Sequence, residues 1–105
     1  MMAFTHENGP YIMFKGTNNF VKNDFSWNNN ASMLYLDHPA GVGFSTCDYN
    51  ISGDCDFDDE GDSLDNVAFL VEWFKKFPEY KGHDLWISGE SYGGIYVPWF
   101  MYSID

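Results

Sequence analysis

The sequence predicts an α/β fold built on a parallel β-sheet, and three observations point to it. Apolar runs of strand length occur at residues 11–15, 33–37 and 84–88. Apolar residues recur at helical spacing between residues 64 and 74, and a second helix is predicted over residues 92–102. Strands that alternate with helices along a chain are typical of an α/β domain with a parallel sheet.

Two strands separated by a long loop are predicted in the first half of the chain. Residues 11–15 (YIMFK) form a short apolar run, and residues 16–30 are rich in Asn and other loop-forming residues. Residues 33–37 (MLYLD) are mostly apolar and end shortly before Pro39, as a buried parallel strand would. Residues 39–45 (PAGVGFS) are then expected to leave the strand as a turn-rich loop.

An acidic loop and a helix follow. Eight of the sixteen Asp and Glu residues fall within residues 48–65. Asp62 is predicted as the helix N-cap because a side-chain oxygen and negative charge favour a helix start. Lys75 and Lys76 suit the last turn, and Pro78 stops the helix. Residues 84–88 (DLWIS) are then expected to form a buried strand that leads through a tight turn into the second helix.

The predicted elements are too few to complete a domain. A chain of 105 residues forms one small domain at most. Three short strands and two helices leave the outer strands without neighbours and the sheet faces uncovered. We therefore expect residues 1–105 to be a partial domain, truncated at both ends. We do not expect it to fold alone, because exposed strand edges and aromatic faces promote aggregation.

Composition excludes several classes of partner. Five Lys, no Arg and sixteen acidic residues give a net charge of −11. The chain therefore lacks the clustered basic side chains that grip nucleic acid or an anionic membrane surface. No apolar run approaches the roughly 20 residues of a transmembrane helix. No signal peptide is visible, because the N-terminus has neither a basic start nor an apolar stretch.

The two cysteines, Cys47 and Cys55, have two possible states. A disulfide in an oxidising compartment is favoured over two free thiols. A metal site is disfavoured because no further Cys or His lies at a usable spacing. We therefore predict neither a metal nor a cofactor.

A G-x-S-x-G motif carries the clearest chemical signal in the chain. It consists of Gly89, Glu90, Ser91, Tyr92 and Gly93, between a predicted strand and a predicted helix, which is the context that the motif needs. The turn is so tight that both flanking positions are expected to require glycine. It lifts the Ser91 hydroxyl clear of the backbone, and the Tyr92 N–H can stabilise an oxyanion. The alternative is a glycine-rich helix entry with an inert serine.

Several motifs together resemble the serine carboxypeptidases, which are acid-active peptidases of the α/β-hydrolase fold. The resemblance extends over nearly the whole chain, roughly 95 residues, in several separate motifs. They are ENGP at 7–10, SWN at 26–28, LDHPAGVGFS at 36–45, FLVEWFKKFPEYKG at 69–82 and GESYGG at 89–94, followed by Tyr96 and Pro98. The resemblance implies the N-terminal part of an α/β-hydrolase fold, with an incomplete parallel sheet and flanking helices.

The resemblance also implies roles for individual residues. Ser91 matches the nucleophile, and Tyr92 supplies one N–H of the oxyanion hole. Glu7 and Glu90 match two acidic residues that help bind the C-terminal carboxylate of the substrate. Two neighbouring carboxyls share a proton at low pH, and a protonated carboxyl can donate a hydrogen bond to a carboxylate. Loss of that proton at higher pH would weaken binding, which suits an acid optimum.

The chain departs from the pattern of this family around Ser91. In this fold the triad Asp and His follow the nucleophile, but His6, His38 and His83 all precede Ser91. None of them is a credible general base, and the glycine-rich segment that supplies the second oxyanion N–H is missing. A serine without a base is a poor nucleophile. We therefore expect the 105-residue chain alone to be inactive.

The predicted function is that of a serine-type carboxypeptidase, of which this chain is a fragment without the triad Asp and His. The full-length protein is expected to hydrolyse C-terminal peptide bonds at acid pH through an acyl-Ser91 intermediate, with the C-terminus of a peptide or protein as its partner. The resemblance implies a lysosomal, vacuolar or secreted location for the full-length protein. The alternatives are a catalytically inactive fragment or binding module and a carboxypeptidase-like acyltransferase.

Overall fold

The computed structural model describes residues 3–14, 16–51 and 53–105. The chain divides into two units. The N-terminal unit comprises residues 1–37 and 42–44, and the C-terminal unit comprises residues 38–41 and 45–105.

The N-terminal unit contains a small antiparallel sheet. Strand β1 (Tyr11–Met13) pairs with strand β2 (Phe20–Lys22), and Ile12 lies opposite Val21. Strand β1 falls within the apolar run at residues 11–15, as predicted. Strand β2 lies in the region that the sequence predicts as loop. Its three residues are too few to give a strand pattern, and the flanking residues are rich in Asn, which favours a loop.

Two short helical turns complete the regular structure of this unit. A π-helical turn spans Ala3–Glu7, and a 3-10 turn spans Trp27–Asn29. Ser26 caps the second turn, because its hydroxyl oxygen accepts a hydrogen bond from the Asn28 N–H. The buried side chains of the unit are polar and belong to Thr5, Asn23 and Ser26. Hydrogen bonds therefore take the place of an apolar core within the described part of this unit.

The predicted parallel pairing is not seen in the described residues. Residues 33–37 and 84–88 have no strand structure, and β1 and β2 form the sheet of the described ranges. A strand is held by ladder hydrogen bonds to an adjacent strand, and within the described residues neither apolar run has such a neighbour. The described residues thus show part of the predicted α/β fold: the two helices are confirmed, and the strands seen form an antiparallel pair rather than the predicted parallel sheet.

Helix α1 (Asp59–Lys76) begins earlier than predicted. Its N-cap is Asp58, whose carboxylate accepts a hydrogen bond from the Gly61 N–H at 2.8 Å. The prediction of Asp62 as N-cap is therefore wrong, because the acidic run at residues 58–60 offers an equivalent cap one turn earlier. Lys75 and Lys76 lie in the last turn, as predicted. A 3-10 turn (Pro78–Tyr80) follows the helix.

Helix α2 (Gly93–Ile104) packs against α1. The hydroxyl oxygens of Ser63 and Ser103 lie 2.7 Å apart between the two helices. The side chains that α1 buries are polar, namely Asp62, Ser63 and Asn66. By contrast, Leu64 and Val71 of the predicted apolar stripe are about half exposed, at 55% and 49%. In the described residues the stripe is thus not the buried face of the helix.

A disulfide joins Cys47 and Cys55, as favoured by the sequence, and their Cα atoms lie 5.5 Å apart. It closes the first part of the acidic loop that leads into α1. Among the helices of the described residues, none combines the length and the apolar character needed to cross a membrane.

Candidate active site

The G-x-S-x-G residues form a tight turn that opens α2. Tyr92 is the N-cap residue of the helix. The Gly93 N–H donates to the Glu90 carbonyl at 2.9 Å, and the Gly94 N–H donates to the Ser91 carbonyl at 3.0 Å. These i to i+3 bonds bring Ser91 to the apex of the turn.

Ser91 has an unusual backbone conformation. Its φ is +57°, and it is the one non-glycine residue with a positive φ among those that the structure describes. A left-handed conformation costs an L-residue about 1–2 kcal/mol. Strain of this kind concentrates at functional sites, and a strained strand-to-helix turn is the hallmark of a nucleophile elbow. Ser91 is also exposed, so an incoming substrate can reach its hydroxyl.

Close packing explains one of the two glycines of the motif. A Cβ atom built on Gly89 would lie 2.9 Å from both the Gly93 Cα and the Val97 Cγ2. Real Cβ atoms essentially never approach a backbone carbon so closely. A Cβ built on Gly93 would meet nothing within 4 Å. The turn therefore excludes a side chain at residue 89, whereas Gly93 contributes its Cα to the contact.

Tyr92 presents its backbone N–H at the start of α2. In the described part of the chain this N–H has no hydrogen-bond acceptor, as expected for a donor at a helix N-terminus. The side chain is anchored elsewhere, because its hydroxyl donates to both carboxylate oxygens of Asp59 at 3.4 Å. The Tyr92 N–H is thus available to a developing negative charge beside Ser91.

A cluster of polar and aromatic side chains supports the first turn of α2. The ring of Tyr96 contacts the ring of Tyr92 with centroids 4.9 Å apart, and it contacts the ring of His38 at 4.5 Å. The His38 Nδ1 is buried and has no hydrogen-bond partner in the described residues. Burial lowers the pKa of His38, and the negative charge of Asp62 partly opposes this effect. Burial also raises the pKa of Asp62.

The lowered pKa of His38 makes a pH-dependent contribution to stability. The unfolded chain binds the His38 proton near the ordinary pKa of 6.5, whereas the folded chain binds it only at lower pH. The free energy of unfolding therefore falls as the pH decreases from 6.5 towards the lowered pKa. We expect His38→Gln to remove this component, so that the whole protein loses less stability than wild type between about pH 7.5 and 5.

Urea unfolding at several pH values measures this difference. The matched control is His83→Gln, which replaces an exposed histidine of the same unit. Parallel loss of stability in wild type and His38→Gln on acidification would contradict the prediction. Asp62→Asn is expected to differ from wild type in the opposite direction, in the pH range just above the ordinary Asp pKa of 3.8, because the pKa of Asp62 is raised rather than lowered.

The two glutamates expected to bind a carboxylate belong to different units. Glu7 is the last residue of the π-helical turn in the N-terminal unit, and it is exposed. Glu90 immediately precedes Ser91 in the C-terminal unit and is also exposed. The pairing of these carboxyls therefore stays a prediction.

The described residues do not activate Ser91. Its hydroxyl has no hydrogen-bond partner among them. In the C-terminal unit the ring of His38 lies against Tyr96, and the ring of His83 lies 5.9 Å from that of Tyr80. Within the described ranges no group of three or more His, Cys, Asp or Glu side chains could hold a metal ion.

The residues that support the turn have only weak signals in the sequence. Asp62 resembles a helix cap by composition, but it lies on the buried face of α1. Its position four residues before Asn66, also buried, was the available signal of a polar helix face. Tyr96 was noted only as part of a motif, and nothing in the sequence indicated that it contacts His38.

Comparisons with known proteins place the chain in one family. A family model described as "Serine carboxypeptidase" matches residues 1–105. The chain is 44% identical over 99 residues to "Serine carboxypeptidase-like 40" of Arabidopsis thaliana, covering 93% of this chain and 19% of that protein. It is 45% identical over 95 residues to "Serine carboxypeptidase 24" of the same plant, covering 90% and 20%.

A nematode protein gives a similar result. The chain is 42% identical over 92 residues to "Serine carboxypeptidase ctsa-4.1" of Caenorhabditis elegans, covering 88% of this chain and 19% of that protein. The chain thus spans about a fifth of the length of the curated relatives it matches.

Proposed function

Because this chain belongs to the serine carboxypeptidase family, we propose that it carries the nucleophile of a serine-type carboxypeptidase of the α/β-hydrolase fold. The single observation that supports this most is the positive φ of Ser91, +57°, in an exposed turn that opens a helix. A non-glycine residue in this conformation is strained, and strain of this kind is retained where the turn presents a reactive hydroxyl.

The proposed reaction is acyl transfer to Ser91 followed by hydrolysis. The Ser91 Oγ attacks the carbonyl carbon of the C-terminal peptide bond while a general base takes the hydroxyl proton. The C–N bond then breaks, and the departing amine receives that proton. Water hydrolyses the resulting ester and regenerates the serine. The Tyr92 N–H stabilises the oxyanion in both steps, and removal of such a donor typically costs about 10²- to 10³-fold in kcat.

The general base is proposed to come from outside the described residues of the C-terminal unit. Neither His38 nor His83 hydrogen-bonds to Ser91 in the structure. The disulfide between Cys47 and Cys55 suits an oxidising compartment. It therefore supports a vacuolar, lysosomal or secreted location for the whole protein.

Glu7 and Glu90 are proposed to recognise the free carboxylate of the substrate. A protonated carboxyl donates a hydrogen bond to that carboxylate, whereas an ionised one repels it. A substrate whose C-terminus is an amide should gain little from this site.

Replacement of Glu90 by Gln tests this mechanism. The side-chain amide keeps a hydrogen-bond donor at this position, whereas Glu90→Ala removes it. We expect the KM for a blocked dipeptide to stay within about threefold of wild type in Glu90→Gln and to rise by about tenfold in Glu90→Ala. Release of the C-terminal amino acid by the whole protein is the measurement.

Two controls make this experiment specific. Glu79→Ala replaces another exposed glutamate, in the 3-10 turn after α1, and should keep the wild-type KM. The dipeptide amide should be a poor substrate of wild type and of all three variants. A wild-type KM for Glu90→Ala would contradict the proposed role of Glu90.

A non-catalytic module is the second candidate, and one observation favours it. The Ser91 hydroxyl lacks a hydrogen-bonded base among the described residues. A folded protein that binds free-carboxylate peptides but never releases their last residue would support this candidate. Transfer of the acyl group to an alcohol instead of water would identify an acyltransferase.

A further inference from the structure

Backbone hydrogen bonds at the π-helical turn fix the segment that carries Glu7. The Ala3 carbonyl accepts hydrogen bonds from the N–H groups of Asn8 and Gly9, at 3.1 and 3.2 Å. Gly9 is buried, and a Cβ built on it would overlap the Phe4 carbonyl oxygen. No side chain fits at residue 9, because the backbone there packs directly against the backbone of Phe4.

A second set of bonds holds the same segment from residues 23–27. The Asn8 carbonyl accepts from the Ser26 hydroxyl at 3.1 Å and from the Trp27 N–H at 3.0 Å. The Asn23 side-chain amide donates to the Gly9 carbonyl at 2.9 Å. Asn23 and Ser26 are 6% and 4% exposed, so these bonds are shielded from competition by water.

Tyr35 completes the support from a third direction. Its hydroxyl donates to the Asn8 Oδ1 at 2.8 Å, and its ring meets the ring of Phe4 edge to face, with centroids 5.4 Å apart. Burial raises the pKa of Tyr35 above its ordinary value of 10.0. The hydroxyl therefore remains a donor at any pH at which an acid-active enzyme works. Tyr35 contacts the residue directly after Glu7 and a residue three positions before it.

Glu7 itself differs from its neighbours. It is exposed, and its carboxyl forms no hydrogen bond or ion pair with other residues that the structure describes. The flanking backbone is thus fixed while the carboxyl stays free. That arrangement is suited to binding a ligand, because the ordering of the segment is complete before the ligand arrives.

We propose that Tyr35 is a positioning residue that acts through Asn8 to hold the Glu7 carboxyl where it meets the C-terminal carboxylate of the substrate. This inference rests on the proposed function and adds a residue to it. Tyr35 does not touch the substrate. Tyr35 and Asn8 are 27 residues apart along the chain. Their hydrogen bond therefore holds together two segments that local secondary structure does not connect.

Tyr35→Phe in the whole protein tests this role. The variant removes the hydroxyl and keeps the ring that packs on Phe4. Loss of one hydrogen bond of this kind is expected to raise KM for a blocked dipeptide by about 3- to 10-fold while kcat stays within about twofold. Hydrolysis of p-nitrophenyl acetate, which has no carboxylate to be recognised, should be unchanged. Tyr11→Phe is the matched control, because Tyr11 is exposed in β1 of the same unit.

Two results would overturn the inference. One is an unchanged KM for the dipeptide. The other is an equal loss of dipeptide and ester hydrolysis together with a lowered Tm, which would identify Tyr35 as a purely structural residue.

Binding provides a readout that does not depend on turnover. In a Ser91→Ala background, Tyr35→Phe should weaken calorimetric binding of an N-benzoyl amino acid by about 3- to 10-fold and leave that of its amide unchanged. Equal effects on both ligands, or none, would overturn the inference. If wild type hydrolyses neither dipeptide nor ester, the proposed function fails by itself, and this binding comparison still decides the role of Tyr35.

Discussion

Replacement of Ser91 by alanine is expected to lower kcat for a blocked dipeptide by roughly 10⁴- to 10⁶-fold in the whole protein, the scale of losing a covalent nucleophile. Without the Oγ atom no acyl-enzyme can form, and the remaining rate comes from substrate binding and the oxyanion donors. Ser91 is exposed and its hydroxyl has no partner in the described residues. The fold should therefore tolerate the loss of this hydroxyl, and KM should change little.

Ser88→Ala is the matched control. Ser88 is also exposed and lies three residues earlier, outside the G-x-S-x-G motif. It should keep near-wild-type kcat. An active Ser91→Ala protein, or an equally inactive Ser88→Ala protein with a normal Tm, would mean that Ser91 is not the nucleophile.

The second large effect is expected from Gly89→Ala. The added Cβ would lie 2.9 Å from the Gly93 Cα and from the Val97 Cγ2. The Val97 methyl can rotate away, but the backbone of Gly93 cannot move without shifting the first turn of α2. That shift displaces Ser91 and the Tyr92 N–H relative to the substrate. A displacement of about 1 Å at a reacting group can cost on the order of 100-fold in rate, so kcat should fall by about that factor.

Gly94→Ala separates this steric effect from a general effect of alanine in α2. A Cβ built on Gly94 meets nothing within 4 Å. Alanine also favours a helix by roughly 0.5–1 kcal/mol over glycine. Gly94→Ala should therefore keep kcat and match or raise the Tm of wild type. Equal kcat values for the two alanine variants would show that the close packing at Gly89 does not set the geometry of Ser91.

The helices were predictable because their signals are local. The start of α1 was misplaced because Asp58 and Asp62 are both acceptable N-caps by composition, and only the hydrogen bond to the Gly61 N–H distinguishes them. The interpretation of residues 33–37 and 84–88 as strands depended on non-local pairing. Sequence pattern indicates that such a run is apolar, but a strand also needs a hydrogen-bonded neighbour, and the described residues provide none.

The candidate site was predictable in part for the same reason. The turn around Ser91 is encoded by a few contiguous residues, so a motif could indicate it. The contacts of Tyr35 with Asn8 and of His38 with Tyr96 span 27 and 58 residues. Each pair was invisible in the sequence because no periodic pattern relates residues so far apart. The buried face of α1 was not predicted because it is polar, whereas the helical spacing of apolar residues between 64 and 74 pointed to a different face.

Covalent labelling tests the assignment of Ser91 most directly. The whole protein is incubated with a fluorophosphonate, digested, and the modified residue is located by peptide mass spectrometry. A nucleophile elbow predicts a single adduct on Ser91 that is absent from the denatured protein and from Ser91→Ala. A folded protein that takes no label, or one labelled at a different serine, would contradict the assignment of Ser91 as the nucleophile.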